Sequence, residues 1–221
     1  MDTFDLNLSA PSRPALAYNQ MYMAMAKDAA RDNLAPGMLL AAPTLHDPNF
    51  EHSVVLLGRA GGDGALGWVI NGRELMSVRE LLSSSELLPQ GHEIPETASF
   101  AAPVRLGGPV APAAGWLIYR RGDQPMPGEM AVGSEIAVTG ELAAFAALVR
   151  GQGPATFKLL LGCAGWAPGQ LEGEISAGGW LPTSVRPNLV LDSAVVSSWD
   201  EAYHETVGAD PAAFTSQRGK A

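Results

Sequence analysis

The sequence predicts an α+β fold built on a mainly antiparallel sheet, and two patterns predict it. Short apolar runs, each bounded by Gly, Pro, Asn or Asp, read as buried strands. Helical stretches are inserted among them without strict alternation. Neighbouring strands are joined by tight turns, which makes meanders rather than parallel crossover units.

Residues 1–14 read as a tail punctuated by Pro11 and Pro14. Residues 15–33 hold strong helix formers without Gly or Pro and predict one helix, with Leu16, Tyr22 and Met25 available to dock on a core. MLLAAP (38–43) and HSVVLLGR (52–59) predict strands, separated by the turn Asp47-Pro48-Asn49. AGGDG (60–64) is a hairpin turn leading into the strand ALGWVIN (65–71). Residues 72–82 place Leu75, Val78 and Leu82 at helical spacing and predict a short amphipathic helix. A long surface loop with an irregular helix is expected over 83–101.

VRLGGPV (104–110), GWLIYR (115–120) and SEIAVT (134–139) predict three further strands. A helix follows from Thr139 or Gly140 to Val149, ended by Gly151. The segment from Thr156 to Trp180 reads as strand, Gly-rich turn over Gly162–Gly169, then helix. Pro168 lies near that helix's start and Gly178-Gly179 past its end. Asp192 is expected to cap a last helix to about Val207, with Trp199 and Tyr203 on one face.

Composition bounds the rest. In 221 residues, 47% hydrophobic and 17% charged, there is material for one full domain with a short appendage. The net charge of −9 comes from 14 basic and 23 acidic residues, and no basic cluster exceeds Arg120-Arg121. Such a chain lacks the basic stripe that neutralises phosphates or meets an anionic bilayer, so neither nucleic acid nor membrane is an expected partner. Cys163 is the only cysteine, which excludes an intrachain disulfide and any CxxC site. Asp2 and Asp5 stand where a secretory leader carries positive charge, and no apolar run is long enough to span a bilayer. The expected location is cytoplasmic.

Four ordered segments carry a resemblance: TLHDPNFEHSVVLL, GALGWVIN, LGGPV and GCAGWAPGQLEGEISAGGW. Together they resemble the YqgE/AlgH family of bacterial proteins. Its motifs fall on Asp47, Phe50, Ser53 and Val54, on Gly64, Ala65, Gly67, Val69 and Asn71, on Gly107 to Val110, and on Gly165 to Glu172 with Glu174 and Ile175. Trp199 and VGADPAAF match the family's ending. The chain departs from the pattern at Gly72-Arg73, where Lys-Pro is usual, at Ala167 in place of Gly, and at Cys163, often Tyr. The resemblance implies a barrel-like sheet with flanking helices, over a domain at 34–215 with an extension at 1–33 and a tail at 216–221. The family's activity is not established, although a transcriptional-regulator label travels with it.

The candidate chemistry is sparse. His46, Asp47, Glu51 and His52 are close in sequence but match no established zinc spacing, and no metal or cofactor is expected. Cys163 lacks the Gly of a nucleophile elbow two residues before it, where Leu161 stands, and reads as a buried thiol. Asn71, Gln170 and Glu174 are polar groups set in Gly-rich, apolar motifs, so each is either bonded structurally or turned into a pocket. With Trp166 they form the candidate ligand-binding set, and Asn71 and Gln170 are expected to converge. The first functional reading is a non-enzymatic regulatory protein binding a small molecule or a protein partner. The alternatives are a hydrolase or transferase using Asp47, Cys163 or Glu174, and a DNA-binding regulator.

The charge balance makes one prediction. Fluorescence anisotropy at physiological salt should show no specific duplex binding, and tight, salt-sensitive binding to a defined sequence would overturn the exclusion.

Overall fold

The computed structural model describes residues 34–84, 94, 96–122, 124–191 and 198–207. The helix expected at 15–33, most of the 83–101 segment and the Asp192 cap lie outside the described residues.

The chain opens on the expected meander: β1 (Gly37–Ala41), β2 (Val54–Gly61) and β3 (Gly64–Val69), paired antiparallel in order. Almost every residue of the three is buried, as continuous apolar runs require when a sheet is covered on both faces. Gly62-Asp63 forms the two-residue hairpin loop, and Gly64 takes φ 106°, open only to glycine at low cost. A Cβ there would also overlap the carbonyl of Trp166.

The 72–82 segment corrects the sequence reading. Glu74–Ser77 is a strand, β4, and the helix α1 begins only at Val78, ending at Ser84. The reason is tertiary: β4 pairs with β5 (Pro103–Leu106), about thirty residues on. A local signal for the boundary was nonetheless present in Ser77-Val78-Arg79-Glu80. Ser77 Oγ accepts from Glu80 N–H (3.1 Å) while Ser77 N–H donates to the Glu80 carboxylate (2.7 Å), a reciprocal capping box.

After α2 (Ala98–Ala101) and β5 come β6 (Val110–Arg120), β7 (Met130–Val132), β8 (Ile136–Thr139) and α3 (Leu142–Val149). Then follow β9 (Phe157–Trp166), α4 (Gln170–Ser176), β10 (Trp180–Thr183), α5 (Pro187–Leu191) and α6 (Ser198–Val207). A second correction falls on β9. The expected turn at Gly162–Gly169 is strand as far as Trp166, because β3 pairs with Ala164 to Trp166.

The strands form one curled, half-barrel sheet in the order β10-β1-β2-β3-β9-β6-β8-β7, with β5 and β4 attached beside β9. Every pair is antiparallel except β5 with β9. Helices cover the curl on several sides, giving an α+β fold. One core cluster holds Trp68, Trp116 and the α6 residues Trp199 and Tyr203, and Trp199 Nε1 donates to Ala41 O at 2.9 Å. A second packs α1 and α3 against β6 and β9, and a third packs α4 against β1, β2 and β3.

β9 organises this sheet. On one edge it carries β6; on the other it carries β5 along Leu160-Leu161 and β3 along Ala164 to Trp166. The chain leaving β5 must therefore pass from one edge of β9 to the other before starting β6, and it does so in Gly107-Gly108-Pro109. Backbone lies on backbone at this crossing. A Cβ on Gly107 would overlap Gly162 O, one on Gly108 would overlap Cys163 O, and one on Gly162 would overlap Gly108 O. The Gly-Gly-Pro-Val motif is the crossing itself.

Candidate functional site

The four candidate ligand residues separate into two places. Trp166, Gln170 and Glu174 meet around α4. Glu174 Oε2 accepts from Trp166 Nε1 (2.9 Å) and from Trp180 Nε1 (2.8 Å), and its Oε1 accepts from Gln170 Nε2 (2.8 Å). Gln170 Oε1 accepts from Ala167 N–H (3.0 Å), reaching back three residues as the inner member of a capping box does. Phe50 stacks on Trp166 with ring centres 6.1 Å apart and meets Trp180 edge-on at 5.5 Å. The carboxylate thus joins the end of β9 to the start of β10 through two nearly buried indoles, 6% and 4% exposed. Trp180 was the partner that sequence reasoning missed. It stands at the end of a quoted motif, but only the turn after α4 brings it back to Glu174.

Asn71 does not join them, and the expected convergence with Gln170 is wrong. Beyond the end of β3, its side chain works on the neighbouring strand: Oδ1 accepts from Val54 N–H at 2.8 Å and Nδ2 donates to His52 O at 2.9 Å. Trp166 instead registers with Ala65 at the other end of β3, because antiparallel pairing sends the β9 turn towards the β2–β3 hairpin.

Asn71 lines a separate cleft of about 530 Å³. Three segments distant in sequence build it: Pro48–Ser53 before β2, Val69–Leu75 after β3, and Leu106–Pro112 at the crossing. Its apolar surface includes Val69, Leu75, Leu106, Pro109 and Pro112; its polar groups include Glu51, His52, Ser53, Asn71 and Arg73. Ser53 is 4% exposed, and its Oγ is buried without a hydrogen-bond partner. His52 holds a left-handed backbone (φ 53°), and its ring lies 4.4 Å from that of Trp199. Gly72 lets the chain pass against Leu106, whose carbonyl a Cβ would overlap. Sequence motifs marked Ser53, Asn71 and Gly108 singly, and the crossing over β9 is what gathers them.

The other candidates occupy separate environments. Asp47 Oδ1 accepts from Asn49 N–H at 2.8 Å and closes a local turn. Cys163 is fully buried in the core, and burial pushes its thiol up to about 12. Among the described residues, no group of three or more His, Cys, Asp or Glu side chains is arranged to hold a metal. No helix among them is long and apolar enough to cross a membrane.

Comparison with known proteins follows the same outline. A family model described as AlgH-like matches residues 38–211. A UPF0301 protein of Anaeromyxobacter dehalogenans is 41% identical over 192 residues, 86% of this chain and 95% of that protein. A UPF0301 protein of Ruegeria pomeroyi is 35% identical over 191 residues, 86% of this chain and 100% of its own length. The solution structure of the AlgH protein from Pseudomonas aeruginosa superposes with a TM-score of 0.66 at 28% identity, covering 88% of this chain and 99% of that one. A crystal structure of a Corynebacterium diphtheriae protein, at 22% identity, shares the fold with a TM-score of 0.63, over 82% of this chain and 92% of that one.

Two outcomes follow from these environments. Glu174→Ala leaves two buried indole N–H groups without an acceptor and should cost about 2–3 kcal/mol in urea unfolding followed by tryptophan fluorescence. Glu174→Gln keeps one acceptor oxygen and should cost less. A loss below about 0.5 kcal/mol for the alanine variant would show that the bonds contribute nothing net. Cys163 should resist maleimide in the native protein at neutral pH and react once unfolded. Its unfolded thiol ionises near about 8.5 while the folded one holds its proton to about 12. The folded state binds the extra proton between those values, so its contribution to stability is constant below about pH 8.5 and declines above it. Fast native labelling would contradict the burial.

Proposed function

This chain belongs to the AlgH-like family, whose activity is not established, and from that premise we propose that it is a non-enzymatic small-ligand-binding protein. The ligand site is the cleft at Asn71. One observation carries the reading: three separate segments, each holding family motif residues, close around one concavity that is part apolar and part polar.

Binding is favoured over turnover because the candidate catalytic groups are engaged apart from one another. Asp47 closes a turn, Cys163 is a protonated core thiol, and Glu174 is saturated by two indoles and an amide. The same saturation assigns Trp166, Gln170 and Glu174 to holding α4 rather than to ligand. Asn71 keeps a place in the site by fixing the His52 and Val54 backbone beside it. A cleft of this size suits a small metabolite.

A thermal-shift screen of metabolites against the full chain tests the assignment. A ligand at 100 times its Kd should add about 2.7 kcal/mol, and its amide chemical-shift changes should centre on Ser53, Asn71, Gly72 and Gly108. Pro112→Trp, which places bulk in the cleft from an exposed position, should abolish the shift. Changes centred on Trp166 and Gln170 instead would move the site to α4 and overturn the assignment.

A further inference from the structure

We propose that the cleft selects a small amphipathic anion, with Arg73 anchoring a carboxylate or phosphate head and the apolar walls taking the body. The inference rests on the cleft being the ligand site and adds the ligand's chemical class.

Arg73 is exposed and lines the cleft, and its side chain has no hydrogen-bond or ion-pair partner among the described residues. Among the described lysines and arginines it stands alone in this. Arg59, Arg105, Arg120, Arg121 and Arg186 each face a carboxylate. Arg79 and Arg150 each donate to an oxygen, and Lys158 also has a partner. In a chain with 23 acidic and 14 basic residues, free carboxylates are in surplus and a free guanidinium is not. Glu74, the next residue, is taken by Arg105. Glu51 lines the same cleft without forming an ion pair with Arg73.

The backbone beneath Arg73 is held by hydrogen bonds, and its side chain makes none among the described residues. Asn71 is clamped to β2, and Arg105 Nη1 donates to Gly72 O at 3.0 Å. A guanidinium presented from a held backbone suits bidentate recognition of a carboxylate or phosphate, since the fork of donors matches both. Val69, Leu106, Pro109 and Pro112 supply the apolar surface.

Octanoate, octyl phosphate and octanol share a chain and differ only in head, and titration calorimetry of each against the full chain separates the possibilities. Octanoate or octyl phosphate should bind about tenfold or more tightly than octanol, as charged hydrogen bonds do, and the tighter of the two identifies the head. Arg73→Gln should remove that advantage, leave octanol binding in place and leave Tm unchanged, because the exposed side chain makes no hydrogen bond or ion pair within the described fold. Equal binding of all three, still blocked by Pro112→Trp, would overturn the anion class and leave the cleft standing. Binding insensitive to Pro112→Trp, or no binding by any of them, would overturn both.

Discussion

The passage of one chain segment over the backbone of another, at Gly162, is the constraint on which the rest of the structure depends. β9 accepts β6 on one edge and both β5 and β3 on the other, so the link from β5 to β6 has to cross it. Three residues make the crossing, and its closest backbone contacts fall at Gly107, Gly108 and Gly162, where a Cβ would overlap a carbonyl. Gly107 N–H donates to Leu161 O (2.7 Å) and Gly107 O accepts from Val69 N–H (2.8 Å), so the crossing segment also bridges β9 to the end of β3. Because the crossing fills the seam between β5 and β3, the ladder along that edge of β9 is interrupted there. The loops bordering the interruption become the walls of the cleft.

The polar motif residues divide by whether folding uses their bonding capacity. Glu174 accepts three hydrogen bonds, Gln170 works at both ends of its amide, and Asn71 does likewise across two strands. Each fixes one segment against another, which accounts for its place among glycines and aromatics. The motif residue Ser53 has no such partner for its buried hydroxyl, and Arg73, where the chain departs from the motif, lines the same concavity. The Arg73 side chain, exposed at the cleft and not engaged by the fold, is the group available to a ligand.

The sequence by itself determined the antiparallel meander, the β2–β3 hairpin, the α3 helix and the family, because those rest on local signals: apolar runs, Gly-rich turns and ordered motifs. It marked Cys163 as a core thiol through the missing elbow glycine, and Ser53, Asn71 and Gly108 as motif residues. What it could not give was which of them meet. Glu74 to Ser77 became a strand only because β5 lay ready to pair with it, and β9 ran on to Trp166 only because β3 did the same. Asn71 and Gln170 follow similar apolar strands and look alike in sequence. Antiparallel pairing of β3 with β9 sets them towards different ends of β3, and the crossing at Gly162 brings Gly108 beside Asn71 and Arg73. Strand partners and strand direction are long-range properties, fixed by which backbone edges remain to be hydrogen-bonded once the core is packed.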